Sequence, residues 1–234
     1  MKSLKNFINE GFKLGKNKVK KEKDWIDLDL PSGTLWCKYN VGATCASTAK
    51  SWYGDYFMWG DTEPVTDKKC IPKNYKYYNK SNKNTFTKYC PTDKTNYWCG
   101  TGAPDNKLVL DEEDDMAKAN MGDNWKMPTE EQFQELIDNT TNEWVTDYNG
   151  ISGLNGKLFT SKSNDNTLFI PAAGFHGGSS ITSTNYSFCL WSSTLNVDCP
   201  SHVYALYGHN SFIEISSDYR ISGFSVRGII NKLY

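Results

Sequence analysis

The chain shows a clear strand pattern in the stretch DWIDLDLPSGTLW, which begins at Asp24. Ile26, Leu28 and Leu30 alternate with acidic residues, and a Pro-Ser-Gly sequence then precedes a second apolar run. Alternation at every second residue places the apolar side chains on one face of a strand, and Pro and Gly favour a turn. The pattern therefore predicts a strand, a turn and a second strand.

Two helices are predicted in the middle of the chain. The first is expected to start in the acidic run DEEDD at residues 111–115, because negative charge is favourable at a helix N-terminus, and to end near Gly122. The second is expected to begin at Pro128 and Thr129, because Thr129 and Gln132 have the spacing of a capping box. Its predicted apolar face consists of Phe133, Leu136 and Ile137.

Short apolar segments follow Gly150 at intervals of about ten residues, with Gly, Asn and Ser between them. These segments are KLFTSKS, TLFIPAAG, FCLWSST, HVYALYG, SFIEIS and FSVRGII. Such spacing predicts a compact antiparallel β region. Together with the two central helices, it predicts an α+β fold.

A polar segment at residues 64–107 is predicted to be a long surface insertion in a domain that spans residues 24–234. It is rich in Lys, Asn and Tyr and contains Pro72, Pro91 and Pro104. Its aromatic residues predict that it packs as an ordered loop. They are Tyr75, Tyr77, Tyr78, Phe86, Tyr89, Tyr97 and Trp98.

Residues 1–23 form a basic segment whose composition differs from that of the rest of the chain. They carry eight lysines against two glutamates, a net +6, which leaves −7 for the rest of a chain whose net charge is −1. Apolar residues near helical spacing predict an amphipathic docking arm, and the alternative is a solvated tail. The proposed docking residues are Leu4, Phe7, Ile8 and Phe12.

Several site classes are not expected from the composition. No apolar run is long enough for a membrane span, and the N-terminus lacks the apolar core of a secretion signal. The acidic body argues against a nucleic-acid groove, although the lysines of the arm could contact phosphates. Seven cysteines without a C-x-x-C motif, and only three histidines, predict buried thiols, no metal site and no cofactor.

Several motifs recur in an order that resembles a known family. They are LPSGTLWCKYNVGA, YGDYFMWGDTEP, DNWKMPTEEQFQELI, FIPAAGF, LWSST and FSVRG. Residues 25–228 resemble a C-type lectin-like family of gut bacteria and their phages, related to variable proteins of diversity-generating retroelements and to the formylglycine-generating enzyme. The resemblance implies a C-type lectin-like fold with two helices, short antiparallel strands and long ordered loops, braced by Trp36, Trp59 and Trp191.

The resemblance also implies that residues 175–224 form a ligand-facing surface on a fixed frame. The frame positions are Trp191, Ser192, Ser193, Ala205, Leu206, Arg220, Gly223, Ser225, Val226 and Arg227. The predicted ligand-binding residues are Tyr186, Phe188, Asn196, Asp198, His202, Tyr204, Tyr207, His209, Asn210, Phe212, Glu214, Asp218 and Tyr219. Asn185 and Ser216 are also expected to be exposed, and the alternative for each residue is an ordinary solvent-facing loop position.

The chain departs from the family at its C-terminus. The family frequently ends in SVRPV, whereas this chain continues as SVRGIINKLY. The extension is expected to add an edge strand or to contact a partner.

These features favour a non-enzymatic adhesion module. It would be made in the host cytoplasm, dock on a phage virion or another large assembly through the arm, and bind a host-surface glycan or protein. The alternative is a copper-dependent oxidase resembling the formylglycine-generating enzyme, with Cys189 and Cys199 as its thiols, although these lie ten residues apart and not in a close pair. Calcium-mediated sugar binding is not expected, because Glu63-Pro64 continues with Val and the tryptophan of LWSST continues with two serines.

Overall fold

The computed structural model describes residues 24–66, 69–80, 85–91 and 104–232. The predicted docking residues Leu4, Phe7, Ile8 and Phe12 lie outside these ranges, as do Tyr97 and Trp98. The helices are α1 (Met116–Met121) and α2 (Glu130–Asn139). The strands are β1 (Trp25–Asp27), β2 (Thr34–Asn40), β3 (Tyr56–Phe57), β4 (Thr140–Val145), β5 (Gly156–Ser161), β6 (Thr167–Pro171), β7 (Phe175–Gly177), β8 (Ser180–Thr182), β9 (Ser187–Leu195), β10 (His202–His209), β11 (Ile213–Tyr219), β12 (Phe224–Ser225) and β13 (Arg227–Asn231).

The described part of the chain has an α+β architecture in which strands predominate. Four sheets have the orders β1-β2-β13, β11-β10-β9-β12-β3, β4-β5-β6 and β7-β8. Strand pairing is antiparallel except between β12 and β9, which meet in a parallel pair. Neither helix in this part is long and apolar enough to cross a membrane.

The first sheet confirms the predicted strand, turn and strand. β1 pairs antiparallel with β2, and the N–H of Gly33 closes the turn on the carbonyl of Leu30 at 2.8 Å. Gly33 has φ 71°, a left-handed conformation that glycine adopts without steric cost. β13 pairs with the other side of β2, so the C-terminal extension forms the predicted edge strand through Asn231.

The five-stranded sheet separates two clusters of buried side chains. Trp59, Trp191 and Phe224 belong to the first cluster, and the rings of Trp191 and Phe224 stack 4.1 Å apart. Leu190 and Leu206 belong to the second, in which Phe133 and Leu136 of α2 also lie. Both faces of the central strands are therefore covered. Trp36, Trp59 and Trp191 are fully buried, as the sequence predicted.

Helix α2 confirms the capping prediction. The hydroxyl of Thr129 accepts the N–H of Gln132, and the side chain of Gln132 accepts the N–H of Thr129. The helix buries Phe133 and Leu136, and Ile137 is partly buried. The pattern of Thr129 and Gln132 therefore located the beginning of α2 correctly.

The acidic run does mark the beginning of the first helix, but only its last residue, Asp115, belongs to the helix terminus. Residues Glu112–Asp114 form a single 3-10 turn, and α1 begins at Met116. Asp115 is the N-cap, because its carboxylate accepts the N–H of Lys118 at 3.0 Å. The helix ends at Gly122, as expected. The acidic run therefore supplies a cap and a turn before the helix.

The described part of residues 64–107 lies only partly on the surface. Tyr75, Tyr77, Phe86 and Tyr89 are buried in the first cluster. The guanidinium of Arg220 donates to the carbonyl oxygens of Lys88 and Tyr89, each at 3.1 Å. The predicted ordered packing is thus present, but this part of the segment contributes to the core.

Candidate binding surface

The hairpin of β10 and β11 forms one side of the five-stranded sheet. Its register runs from His202 opposite Tyr219 to Gly208 opposite Ile213 without a shift. At about 3.3 Å per residue, this ladder is about 20 Å long. β11 is the edge strand. The hairpin therefore holds exposed side chains at fixed spacings along an edge.

The predicted frame lies in the interior of the fold. All ten frame positions, from Trp191 to Arg227, are buried. Arg227 donates to Asn40 Oδ1 at 2.9 Å and to the carbonyl oxygens of Cys37 and Phe169. These bonds satisfy a buried guanidinium and connect β13 with β2 and β6, so the frame is cross-linked by polar as well as apolar contacts.

The structure does not bring the predicted ligand-binding residues together at one site. Tyr186, His209, Asn210 and Phe212 lie at one end of the hairpin. Asn196, Asp198, His202, Tyr204, Asp218 and Tyr219 lie at the other end. Phe188, Tyr207 and Glu214 lie on the strands nearer the first group. The predicted residues therefore form two separate surfaces, one at each end of the hairpin.

The first surface is the aromatic end, defined here by Trp144, Tyr186, His209 and Phe212. Tyr186 is 71% exposed and Phe212 is 45% exposed. The rings of His209 and Phe212 stack 5.4 Å apart, and Trp144 lies 6.5 Å from His209. Tyr186 immediately precedes Ser187, the pairing partner of His209. Sequence analysis missed Trp144, because it belongs to β4, far from the segment that the resemblance highlighted.

The backbone at the aromatic end is tightly constrained. The N–H of His209 donates to the carbonyl of Phe212 at 3.0 Å and closes the hairpin. The buried ring of Phe188 covers Gly208, where a Cβ atom would lie 2.0 Å from the ring. Because Gly208 pairs with Ile213, the packing of Phe188 fixes the base of the loop that carries Phe212.

The second surface is the histidine end, defined here by Asn196, Cys199, His202 and Tyr219. The rings of His202 and Tyr219 lie 4.2 Å apart. Asn196 donates from Nδ2 to Ser217 Oγ at 2.9 Å, and its Oδ1 accepts the N–H of Cys199. Most polar groups on this surface are thus bonded to one another, and they form a braced turn.

The predictions for Phe188 and Tyr207 as surface contacts are corrected by the structure. Phe188 is 1% exposed and packs in the second cluster. Tyr207 is partly buried against the first cluster, and its hydroxyl donates to Asp218 at 3.3 Å. The physical reason is that β9 and β10 lie inside the sheet with a cluster of buried side chains on each face, so Phe188 and Tyr207 pack against those clusters.

A cavity of about 470 Å³ lies beside residues 181–185 and was not predicted. Its lining includes Tyr53, Tyr56, Ile181 and Asn185. The hydroxyl of Tyr53 donates to Asn185, and that of Tyr56 donates to the carbonyl of Ala173 at 2.5 Å. The motif YGDYF contains both tyrosines, but nothing in their spacing indicates that they meet Asn185. Of the two further residues expected to be exposed, Ser216 is exposed on β11, whereas Asn185 is only partly exposed because it is bonded to Tyr53.

The two thiols of the oxidase alternative lie in different parts of the sheet. Cys189 is buried opposite Tyr207, and burial raises the pKa of its thiol. Cys199 lies beside His202, five positions from Tyr207 along β10 and so about 16 Å away along the strand. This separation gives no support to a shared copper ion.

A carboxylate cluster of Asp111, Glu113 and Asp114 has the spacing of metal ligands. Lys88 is already bound to all three, at 2.6, 3.0 and 2.6 Å. Lys76 binds Asp114 at 2.7 Å. Ammonium groups therefore occupy the positions that a cation would take, and the cluster joins the 69–80 and 85–91 segments to the start of α1.

No protein-family model, curated protein or solved structure matches the chain. Its function must therefore be inferred from the residue chemistry and geometry described above.

Proposed function

We propose that this chain is a non-enzymatic binding module of the C-type lectin-like class that contacts its ligand through the aromatic end. The observation that carries the proposal is the pair of exposed rings, Tyr186 and Phe212, at the end of a hairpin whose frame is buried. In this proposal, residues 1–23 dock on a phage particle or another large assembly. The aromatic end then faces a glycan or protein of the host surface.

The chemistry of the aromatic end suits binding. Tyr and Phe offer a large contact area while losing few rotatable bonds, and nearby polar groups supply hydrogen bonds. Asn210 and Ser211 are exposed in the same loop as Phe212. Since the hairpin is already ordered, little conformational entropy would be lost on binding. Repeated copies on a particle would strengthen weak single contacts through multivalency.

The aromatic end is favoured over the histidine end as the ligand-binding surface because its side chains make fewer contacts within the protein. Tyr186 is the most exposed large hydrophobic residue of the described chain. At the histidine end, Asn196 and His202 are engaged with Ser217, Cys199 and Tyr219. A ligand at that end would have to replace several existing contacts.

The binding test uses the full chain on an array of immobilised bacterial surface polysaccharides and on whole bacterial cells. We expect binding that Tyr186→Ser combined with Phe212→Ser reduces at least tenfold, as expected for the loss of two aromatic contacts. Tyr219→Ser removes a ring of similar exposure at the other end and should leave binding within about twofold. Equal losses in both variants, or no binding to any probe, would contradict the proposal.

The docking part is tested separately by co-sedimentation with intact particles. Full-length protein should sediment in a fixed ratio to the particle, and a version lacking residues 1–23 should stay in the supernatant. Far-ultraviolet circular dichroism of the shortened protein checks that the domain remains folded. Normal sedimentation of the shortened protein would refute arm-dependent docking.

A further inference from the structure

The turn between β9 and β10 brings a thiol, an imidazole and a hydroxyl together. Cys199 Sγ lies 3.0 Å from His202 Nδ1, and Ser201 Oγ lies 3.0 Å from the same nitrogen. Ser201 Oγ is also 3.3 Å from Cys199 Sγ. The N–H of His202 donates to the carbonyl of Cys199 at 2.7 Å, so the turn itself fixes the distance between thiol and imidazole.

The imidazole is held in place from its other side. The ring of Tyr219 lies 4.2 Å from that of His202, and His202 pairs with Tyr219 in the ladder. A nucleophile in hydrogen-bond reach of a base, with the base oriented by a third group, is the arrangement that activates thiols in proteins. Both Cys199 and His202 are partly exposed, so a small molecule has access to the pair.

Other thiols in the described residues each lack one part of this arrangement. Cys45 is partly exposed, but no imidazole is bonded to it. Cys70 lies 3.3 Å from His176 Nδ1, but both residues are buried. Burial raises the pKa of Cys45 and of Cys70 to about 11. Cys199 combines exposure with a neighbouring base.

We propose that Cys199 is a reactive thiol that undergoes exchange with small disulfides, with His202 as the base that takes up its proton. The thiolate sulfur of Cys199 attacks one sulfur of the disulfide. A new S–S bond to Cys199 forms, the old S–S bond breaks, and the leaving thiolate receives the proton from His202. The reaction yields one mixed disulfide and one free thiol, with no net oxidation.

The charge state of His202 suits this role. Burial lowers the pKa of His202, Asp218 raises it and Arg220 lowers it, with burial the largest effect. Tyr219 also faces the ring. The imidazole is therefore neutral at neutral pH, and with its proton on Nε2 it can accept the thiol proton at Nδ1.

The experiment uses the reduced full chain in a Cys99→Ser background, because Cys99 lies outside the described residues. The probe is 4,4′-dithiodipyridine, whose released thiol is followed by absorbance, and peptide mass spectrometry locates the modified cysteine. At pH 7 we expect Cys199 to react at least about tenfold faster than Cys45 and Cys70. A rate for Cys199 equal to that of Cys45 would overturn the proposal, since exposure alone would then explain it.

The variant His202→Asn tests whether the reactivity of Cys199 depends on proton transfer to His202 or only on the exposure of its thiol. At pH 7 it should slow the reaction of Cys199 by about tenfold or more. At about pH 10 an exposed thiol ionises without a base, so the variant and the parent should react at the same rate. A deficit that persists at about pH 10, or no deficit at pH 7, would refute a role for His202 as base. His176→Asn, the matched change at the buried pair, should leave the rate of Cys199 unchanged.

Discussion

The carboxylate of Asp114 joins the insertion to the start of α1. Asp114 is 1% exposed and accepts bonds from Lys76 at 2.7 Å, Lys88 at 2.6 Å and the Tyr89 hydroxyl at 2.5 Å. Asp114→Asn keeps the size of the side chain but removes its charge. The substitution therefore tests how strongly this carboxylate stabilises the packing of the 69–80 and 85–91 segments.

The expected decrease in the free energy of unfolding depends on how exposed each hydrogen-bond partner of Asp114 is. A hydrogen bond to a charged group contributes about 1.5–3 kcal/mol, and the bonds from Lys88 and Tyr89 lie in a largely buried environment. The Lys76 side chain is 39% exposed, so its contribution is taken as about 0–1 kcal/mol. The asparagine oxygen can still accept one bond. We therefore expect Asp114→Asn to lower the free energy of unfolding by about 3 kcal/mol, or the melting temperature by about 6–12 °C.

The stabilisation by the Asp114 carboxylate should also depend on pH. Burial alone would raise the pKa of Asp114, but hydrogen bonds from Lys76, Lys88 and two tyrosines hold it well below its usual value. Because the folded-state pKa lies below that of the unfolded chain, the carboxylate stabilises the fold fully above about pH 5. This contribution declines as the pH falls below about 4.

Urea denaturation of the parent and variant at several pH values measures both parts. The difference in unfolding free energy should be constant from pH 7 to pH 5 and should shrink towards pH 3. Glu113→Gln, which changes an exposed carboxylate bound to the same Lys88, should cost about 0.5 kcal/mol or less. A loss below about 1 kcal/mol at pH 7, or a difference that is the same at pH 7 and pH 3, would refute the reasoning.

Two further substitutions test the helix cap and the base of the hairpin. Thr129→Ala should lower the free energy of unfolding by about 1 kcal/mol, because it removes the capping bond to Gln132. The control is Thr141→Ala, which makes the same change at an exposed position. Equal losses of stability in the two variants would argue against a role for the cap. Gly208→Ala should cost about 1–3 kcal/mol, because its Cβ would meet the ring of Phe188, and Phe188→Leu should reduce this cost in a double-mutant cycle. Purely additive effects in urea denaturation would contradict this contact.

Local patterns predicted the elements whose determinants lie close together in sequence. The strand at Ile26, although it ends at Asp27, the capping pair of Thr129 and Gln132, and the edge strand that begins at Arg227 were all confirmed. In each case the residues that determine the element lie within one turn or one strand. The acidic run marked the N-terminus of α1, where Asp115 is the cap, but the local pattern did not show that Asp114 binds lysines from a distant segment.

The candidate surface was harder to predict because it depends on which strands lie at an edge. Phe188 lies in the segment that the resemblance implies to be ligand-facing, yet β9 lies in the middle of the sheet and is covered on both faces. Trp144 joins the aromatic end from β4, and Tyr53 meets Asn185 from 132 positions away. These contacts arise from the arrangement of sheets, which no local pattern contains.

Strand β13 completes the first sheet with residues that are synthesised well after those of β2. Arg227 bonds to Asn40, which was synthesised 187 positions earlier, and β2 has an unpaired edge until β13 arrives. Contacts this distant in sequence slow folding, and an open strand edge favours aggregation. A nascent chain that stalls before Arg227 would therefore expose the edge of β2, so uninterrupted translation and chaperone protection should raise the yield of native protein.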